Sequence, residues 1–287
     1  YEIAQCLVGS EMCIRDSYSY DKYEKTVLGI NDFQNDFSKG FLSKQGKFMK
    51  NYVDTSSWTG KRILDLIFKE KASTRLFSNN PHADKEVVSG YRSAGMDEAL
   101  NQENMQVLLE DAVREVDIFS NNIIILQNRF VSPLSSIGPD FYKYYLTDTV
   151  YVDDTRCVEL SFAPHNAESM GFNGKIYVPV GDTTMFVKKV TMRTPHDINL
   201  NYVDNLFINQ SFVKDSLGNR HKTYDDVCIE MKIIPGIPKL YGRKITTYDN
   251  FSYSKRDDLI DFYDKLGRNL EPVSYTHLRA HETLSDL

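Results

Sequence analysis

Hydrophobic and polar positions alternate with a period of two along most of the second half of the chain, residues 141–253. In DDVCIEMKIIP (225–235), valine, isoleucine and methionine alternate with cysteine, glutamate and lysine. This pattern is typical of antiparallel strands with one buried and one solvated face. Polar triplets at 153–155 and 181–183 separate neighbouring apolar runs and predict hairpin turns. Six or seven successive strands predict a meander that curves into a half-barrel or a sandwich.

The first half of the chain shows a mixed pattern. SYSYDKYEKTV (17–27) has tyrosine and valine at alternating positions and predicts a strand, and IIILQ (123–127) predicts a short buried strand. Residues 29–60 are rich in glycine, asparagine, aspartate, serine and lysine, which is typical of a long loop or lid. The turn-rich stretch 132–140 predicts a connection into the strand-rich part.

Three stretches have the apolar spacing of a helix. GKRILDLIFKEKAS (60–73) places Ile63, Leu64, Ile67 and Phe68 on one stripe, with an extended conformation as the alternative from Phe68 onward. In QENMQVLLEDAVREVDIF (102–119) the apolar stripe is Met105, Leu108, Leu109, Ala112 and Val116. A short helix is also predicted over 256–266. The predicted fold class is therefore α+β, mainly antiparallel β: a curved meander or half-barrel sheet with one principal packed helix, residues 102–119.

Both ends of the chain match translated sequencing-adaptor sequence. CLVGSEMCIRDS (6–17) is the translation of one strand of a library transposase adaptor, and PVSYTHLRAHET (272–283) is the translation of the complementary strand. We therefore expect residues 1–17 and 272–287 to be artefact and residues 18–271 to be a fragment of a single domain. Within it we expect a mixed α/β part over 18–140 and an antiparallel strand-rich part over 141–255.

Composition narrows the class of protein without assigning a function. The chain has 287 residues, 34 lysine and arginine against 40 aspartate and glutamate, and a net charge of −6. This balance favours a globular chain and gives no reason to expect nucleic acid as a partner. The sequence lacks a nucleophile elbow, a Walker-type phosphate loop and a helical zinc motif. We predict no catalytic residues, no cofactor and no metal site, and the ligand-binding residues cannot be named.

Single residues that could carry chemistry have simpler structural interpretations. The histidines of the predicted native stretch lie in polar stretches typical of solvent-facing turns: His82, His165, His196 and His221. Cys157 and Cys228 lie on the polar faces of predicted strands, where they are free thiols or, in an oxidising compartment, a disulfide. Paired acids are expected in turns or helix caps at 153–154, 225–226 and 257–258. The aromatic stretch FYKYYL (141–146) is a core surface or a ligand-stacking platform.

Several stretches resemble a known family in the same order along the chain. They are SYSYDKYEK (17–25), FVSPLSSIGPDFYKYYLTDTVYVDDTRCVELSFAPHN (130–166), FNGKIYV (172–178), FVKKVTM (186–192) and DINLNYVDNLFINQSF (197–212). The family has unknown function and follows a carboxypeptidase-regulatory-like domain in large Gram-negative outer-membrane proteins. The resemblance implies a parent with a signal peptide, an upstream β-sandwich domain, this region and an outer-membrane β-barrel. It implies no catalytic residues.

These inferences predict a non-enzymatic, periplasm-facing module of an outer-membrane protein. Its expected role is to bind or position a partner, which is the adjoining barrel, a lipid or apolar ligand, or a transported substrate. A lipid carrier requires a concave sheet with an empty apolar inner face, whereas a scaffold requires that face to be filled by the 102–119 helix. The alternative is a hydrolase-like enzyme whose site forms only in three dimensions, with at least two of His165, His196, Asp197 and Asp140 in contact. In a third interpretation the strands belong to the membrane barrel itself, which the predicted helices and long loops disfavour.

Overall fold

The computed structural model describes residues 17–31, 53–79, 82–95, 111–196, 198, 200, 202–215, 218–232, 239–253 and 274–275. Antiparallel strands make up most of them. The strands of the first half are β1 Ser17–Asn31, β2 Val53–Thr55, β3 Arg62–Asn79, β4 His82–Gly95, β5 Asn122–Ile125 and β6 Asn128–Val131. After the one-turn helix α1 (Gly138–Phe141) come β7 Tyr142–Val152, β8 Thr155–Pro164, β9 Asn173–Pro179, β10 Lys189–Arg193, β11 Val203–Lys214, β12 Arg220–Met231, β13 Lys239–Ser252 and β14 Ser274–Tyr275.

One large curved sheet contains all of these strands except β5 and β6. Its order is β14-β4-β3-β1-β13-β12-β11-β10-β9-β8-β7, and β2 pairs with β3 beside this path. The run from β7 to β13 is an uninterrupted antiparallel meander, as the alternation predicts. The strand predicted at 17–27 is confirmed as β1, and it pairs with β13, the last strand of that meander. The two parts of the chain thus share one sheet.

The α+β class with a principal packed helix is wrong. Asp111 and Ala112 are helical, but the chain leaves the helical conformation at Val113 and continues in turns and irregular structure to residue 121. The carbonyl oxygen of Val116 accepts hydrogen bonds from Gln210 Nε2 at 2.7 Å and from Lys222 Nζ at 3.4 Å. These bonds to the sheet take the place of the intrahelical bonds that the predicted helix would need. Residues 102–110 of the predicted helix, and the helix predicted at 256–266, lie outside the described residues.

The helix predicted at 60–73 is also wrong, because strand β3 begins at Arg62, and the extended alternative from Phe68 onward is confirmed. A β-bulge explains the misleading pattern. Leu28 of β1 pairs with Ile67, but the next pair joins Gly29 to Asp65, so Leu66 is an extra residue in β3. The bulge brings Leu64 and Ile67, three positions apart as on a helix, to the same face of the sheet. Gly29 is required here because a side chain would collide with the backbone carbonyl of Leu64.

The apolar core lies on one side of the sheet, which we call the inner face. Side chains of β1, β3 and β8–β12 on this face pack against residues 111–135, which we call the covering segment. The covering segment includes the β5–β6 hairpin, and Val113, Val116, Ile118 and Phe130 are each at most 3% exposed. Phe130 and Phe172 have ring centroids 4.9 Å apart. The apolar part of the inner face is therefore filled by the chain itself.

The opposite face, called the outer face, carries a small apolar cluster. Ile63, Phe207, Cys228 and Tyr241 are buried there beneath Trp58, whose ring stacks on Phe207 at 5.0 Å. Trp58 belongs to a tight turn in which Gly60 N–H donates to Ser56 O at 2.8 Å. Part of the stretch predicted as a lid is thus a turn that covers the outer face, while residues 32–52 lie outside the described residues.

Candidate functional site

A polar pocket opens on the inner face beside the start of the covering segment. It has a volume of about 290 Å³ and is built by four neighbouring strands, β13, β1, β3 and β4. Its lining residues are Glu24, Thr26, Lys69, Glu70, Lys71, Tyr91, Val113 and Lys244. We call this feature the lysine pocket. The covering segment contributes only Val113 to it, so the described wall of the pocket belongs almost entirely to the sheet.

Strand alternation decides which side chains face the pocket. Lys71 pairs with Glu24 of β1 and with Tyr91 of β4, so these three residues share the inner face. Lys69 lies two residues away on the same strand and shares that face. Glu70 lies between the two lysines and points to the outer face, where it accepts a hydrogen bond from Tyr23 Oη. The side chains that face the pocket therefore include three lysines and one glutamate.

Glu24 is the centre of a buried ion-pair cluster at the base of the pocket. Its Oε1 lies 2.7 Å from Lys244 Nζ and 3.1 Å from Lys22 Nζ, and its Oε2 lies 3.0 Å from Lys71 Nζ. Burial raises the pKa of Glu24, but the three ammonium groups outweigh it and lower the pKa to about 2. Lys71 also contacts Glu86 at 2.9 Å. Burial lowers the pKa of Lys71, but hydrogen bonds to Glu86 and Glu24 outweigh it, so its pKa is raised and it stays charged.

A second group of charges joins this cluster to the covering segment. Glu115 of the covering segment lies 2.9 Å from Lys222 Nζ and 3.7 Å from Lys22 Nζ, and it accepts a hydrogen bond from Tyr248 Oη at 2.7 Å. Lys222 also contacts Asp225 at 3.0 Å. Burial raises the pKa of Asp225 despite this contact. The carboxylate of Glu115 thus fixes the covering segment to the charged end of the inner face.

The arrangement is suited to binding, and the described residues of the pocket include no pair of groups set up for proton transfer. Lys71 is held charged by Glu24 and Glu86, and Glu24 is held ionised by the ammonium groups around it, so neither of these two groups titrates near neutral pH. Within the described ranges, no three histidine, cysteine, aspartate or glutamate side chains converge to hold a metal ion. No helix among those same residues is long and apolar enough to span a membrane.

The residues named for the alternative enzyme do not meet in the described structure. Asp140, His165 and His196 are all exposed, and no side-chain hydrogen bond or ion pair joins any two of them. Asp197 lies outside the described residues. The interpretation of the histidines as solvent-facing turn residues is confirmed for His165 and His196. The side chain of His82 is not described.

His221 contradicts that interpretation, because it is the second residue of strand β12 and is only 7% exposed. Its ring stacks on Phe251 with centroids 4.2 Å apart, and Tyr253 Oη lies 2.6 Å from Nε2. Burial lowers its pKa, against the opposing effect of Asp215 at 3.5 Å. These contacts give His221 a structural role.

Of the paired acids that the structure describes, one pair lies in a turn as predicted and the other does not. Asp153 and Asp154 form a turn with φ values of 43° and 60°, as expected. Asp225 and Asp226 lie within strand β12 and are each 2% exposed, so the predicted turn is wrong there. Asp226 accepts two hydrogen bonds of 2.8 Å from Arg243 on the outer face. Residues 257–258 lie outside the described residues.

Cys157 and Cys228 are free thiols and lie on the face opposite the main core, as the alternation predicts, but both are fully buried there. Cys157 lies on β8 and Cys228 on β12, with three strands between them in the sheet. Four interstrand spacings amount to about 19 Å, well beyond the reach of a disulfide. Burial raises the pKa of both thiols, that of Cys228 to about 12. Neither thiol has the character of a nucleophile.

The aromatic stretch 141–146 is mainly a core surface. Tyr142 is 1% exposed, and its ring meets Phe162 edge-on at 5.5 Å. Its hydroxyl donates to the carbonyl oxygen of Val131 and accepts from the N–H of Phe172. Lys143, Tyr145 and Leu146 are exposed, on the edge strand β7.

The lysine pocket is not among the sites predicted from the sequence. The available signal was the spacing of like positions in two stretches, Lys22 and Glu24 in KYEKT and Lys69 and Lys71 in KEK. A spacing of two places such residues on one face of a strand. The second stretch was predicted as a helix with an extended alternative from Phe68 onward, and only the extended conformation puts Lys69 and Lys71 on one side.

A family profile described as a family of unknown function (DUF5686) matches residues 14–255. The chain belongs to this family. Among curated proteins, a search finds no significant match.

Among solved structures, the chain is similar to a DUF1329 family protein from Desulfovibrio piger, with 10% identity over 89% of this chain and 92% of the other, and a TM-score of 0.32. The chain is also similar to a putative outer membrane lipoprotein-sorting protein domain from Vibrio parahaemolyticus, with 8% identity over 86% of this chain and 91% of the other, and a TM-score of 0.28. A third similar structure is a LolA superfamily protein from Nitrosomonas europaea, with 9% identity over 90% of this chain and 94% of the other, and a TM-score of 0.28. These identities and scores are too low to transfer a function.

Proposed function

We propose that this chain is a non-enzymatic, periplasm-facing module of an outer-membrane protein, and that it binds or positions a partner at the charged end of its inner face. The supporting observation is the division of that face. Its apolar part is filled by the covering segment, while none of the described residues fills the lysine pocket, which has a volume of about 290 Å³. An open pocket built on regular strands is a suitable place for a ligand or partner.

The filled core separates the two binding modes considered from the sequence. An acyl-chain carrier needs an empty apolar inner face, but Val116, Ile118 and Phe130 of the covering segment occupy that space. The scaffold mode requires a filled face, which the covering segment provides without a helix. The proposal is therefore a module that presents a polar site and positions a partner on it.

The placement in the cell envelope rests on the resemblance described above. In that arrangement the upstream β-sandwich domain and the downstream outer-membrane β-barrel adjoin this region covalently. A periplasm-facing module at this position is exposed to envelope lipids, to transported substrates and to the barrel. Any of these is a suitable partner for the lysine pocket.

Native mass spectrometry on the full 287-residue chain tests the proposal. The chain is exported to the periplasm of a Gram-negative host and purified under mild conditions, and the same chain made in the cytoplasm is the control. A co-purifying small molecule found only after periplasmic expression supports the proposal. A folded, ligand-free chain that takes up nothing from envelope lipid extract or from soluble periplasmic extract contradicts it.

A further inference from the structure

We propose that strand β7 joins two copies of this chain. The two β7 strands pair antiparallel about a two-fold axis at Tyr145, so that Lys143 of each copy lies opposite Asp148 of the other. This inference goes beyond the proposed function and does not depend on the lysine pocket. Three features of β7 support it: its unpaired edge, its exposed apolar side chains and the placement of its two charges.

The strand β7 forms one end of the large sheet and is long enough to pair with another strand. It has eleven residues and pairs with β8 on one side. Within the described part of the chain, no strand pairs with its other side. Such an edge presents a row of backbone N–H and C=O groups that can bond to a strand of another chain.

The side chains of β7 favour association over solvation. Tyr145, Leu146 and Tyr151 are 55%, 67% and 75% exposed. The sequence of the strand, YKYYLTDTVYV, contains one lysine and one aspartate, so the strand is neutral as a whole. Long edge strands with exposed apolar residues and few charges tend to pair with a further strand. A second copy of a neutral strand is not repelled by net charge.

A β-bulge brings the two charges of β7 to one face of the sheet. The pairing of β7 with β8 passes from Leu146 directly to Asp148, so Thr147 is an extra residue. Lys143 and Asp148 are five positions apart and would lie on opposite faces of a regular strand. Because of the extra residue, both lie on the outer face, as does Tyr145. All three side chains are exposed there.

This placement makes the edge complementary to itself. With Tyr145 on a two-fold axis, Lys143 lies opposite Asp148 of the other copy, and Tyr144 lies opposite Leu146 of the other copy. The symmetry forms each of these pairs twice. Opposite charges directly across an antiparallel pair stabilise it, whereas like charges destabilise it. The charges of β7 therefore fit a second copy of the same strand.

Sedimentation velocity of the full chain over a range of concentrations tests the inference. We expect a dimer whose fraction rises with concentration. Lys143→Asp and Asp148→Lys should each weaken dimerisation by at least about tenfold, because each sets like charges opposite one another twice. The variant with both substitutions should regain most of the dimerisation, since it forms the same pairs with the signs reversed. Lys232→Asp, at an exposed lysine after β12, is the matched control and should dimerise like the wild type.

A disulfide at the axis tests the register. Tyr145→Cys is made in a full chain whose Cys6 and Cys13 are replaced by serine, and Cys157 and Cys228 are buried. Residues directly opposite on antiparallel strands have Cα atoms about 4.5–5.5 Å apart, which is within the range of a disulfide. Mild oxidation should therefore give a covalent dimer on a non-reducing gel. Tyr202→Cys, at a tyrosine that is 61% exposed before β11, is the control and should stay monomeric.

Three results would overturn the inference. The first is a chain that stays monomeric at every concentration and is not cross-linked by Tyr145→Cys. The second is a dimer that neither single charge reversal weakens, which would assign the association to another surface. The third is equal cross-linking of the Tyr145→Cys and Tyr202→Cys variants. Thermal unfolding checks that each variant folds, which the exposure of the substituted side chains favours.

Discussion

Replacing Glu24 by glutamine should destabilise the protein in a manner that depends on pH. The Glu24 side chain is 9% exposed and contacts Lys22, Lys71 and Lys244. Glutamine has nearly the same shape but removes the charge. Glu24→Gln therefore leaves three ammonium groups around a neutral amide, and that of Lys22 is also only 9% exposed.

The magnitude follows from the pKa of Glu24, which folding lowers from 4.5 to about 2. Each unit of pKa shift corresponds to about 1.4 kcal/mol, so the ionised carboxylate stabilises the fold by about 3 kcal/mol at pH 7. Because the folded pKa is the lower one, this contribution is complete above the unfolded pKa of 4.5 and is lost as pH falls toward 2. At pH 3 about 1.5 kcal/mol should remain.

Urea unfolding of the wild type and of Glu24→Gln at pH 7 and pH 3 measures this difference. The free energy of unfolding should differ by about 3 kcal/mol at pH 7 and by about half of that at pH 3. Glu168→Gln is the matched control, since Glu168 is an exposed glutamate with no ion pair. Its stability should be within about 0.5 kcal/mol of the wild type at both pH values.

A difference below about 1 kcal/mol at pH 7 would refute the reasoning, because it would mean that the three lysines do not stabilise the carboxylate. A difference that is the same at both pH values would also refute it. In that case the loss would come from packing or hydrogen bonding, which does not follow the ionisation of Glu24.

Two further predictions concern the core and the thiols. Phe130→Ala should lower the free energy of unfolding by about 3–5 kcal/mol in a urea titration, because it removes the ring that packs against Phe172. Ile124→Ala on the same hairpin is the control. Its side chain is 46% exposed, so this substitution should lower the free energy of unfolding by less than about 1 kcal/mol. An equal loss in the two variants would show that the hairpin does not fill the core. Cys157 and Cys228 should react with a thiol reagent such as DTNB only after unfolding, because both are buried and their pKa values are raised. Rapid reaction of either thiol in the native protein would contradict their burial.

The local pattern of the sequence was sufficient for the meander. From β7 to β13 each strand pairs with the next, so the period of two and the turn residues define both the strands and their neighbours. The turn at Asp153 and Asp154 shows the same local control, since both residues adopt positive φ.

The local pattern failed where distant contacts compete with it. Leu64 and Ile67 have helical spacing, but a bulge in β3 places both on the inner face of a strand. Val116 continues a helical stripe, yet its carbonyl bonds to Gln210 and Lys222, residues about a hundred positions later in the chain. Periodicity alone does not reveal such bonds, because their partners belong to other strands.

The sequence by itself determined that this protein is β-rich and where most strands of its second half lie. Only the tertiary structure decided that the core is filled by the covering segment and that a lysine pocket exists. Lys244 is separated from Glu24 by most of the chain, and the two meet because β1 pairs with β13. Ion pairs of this kind depend on strand order and register, which are set by the packing of the whole sheet.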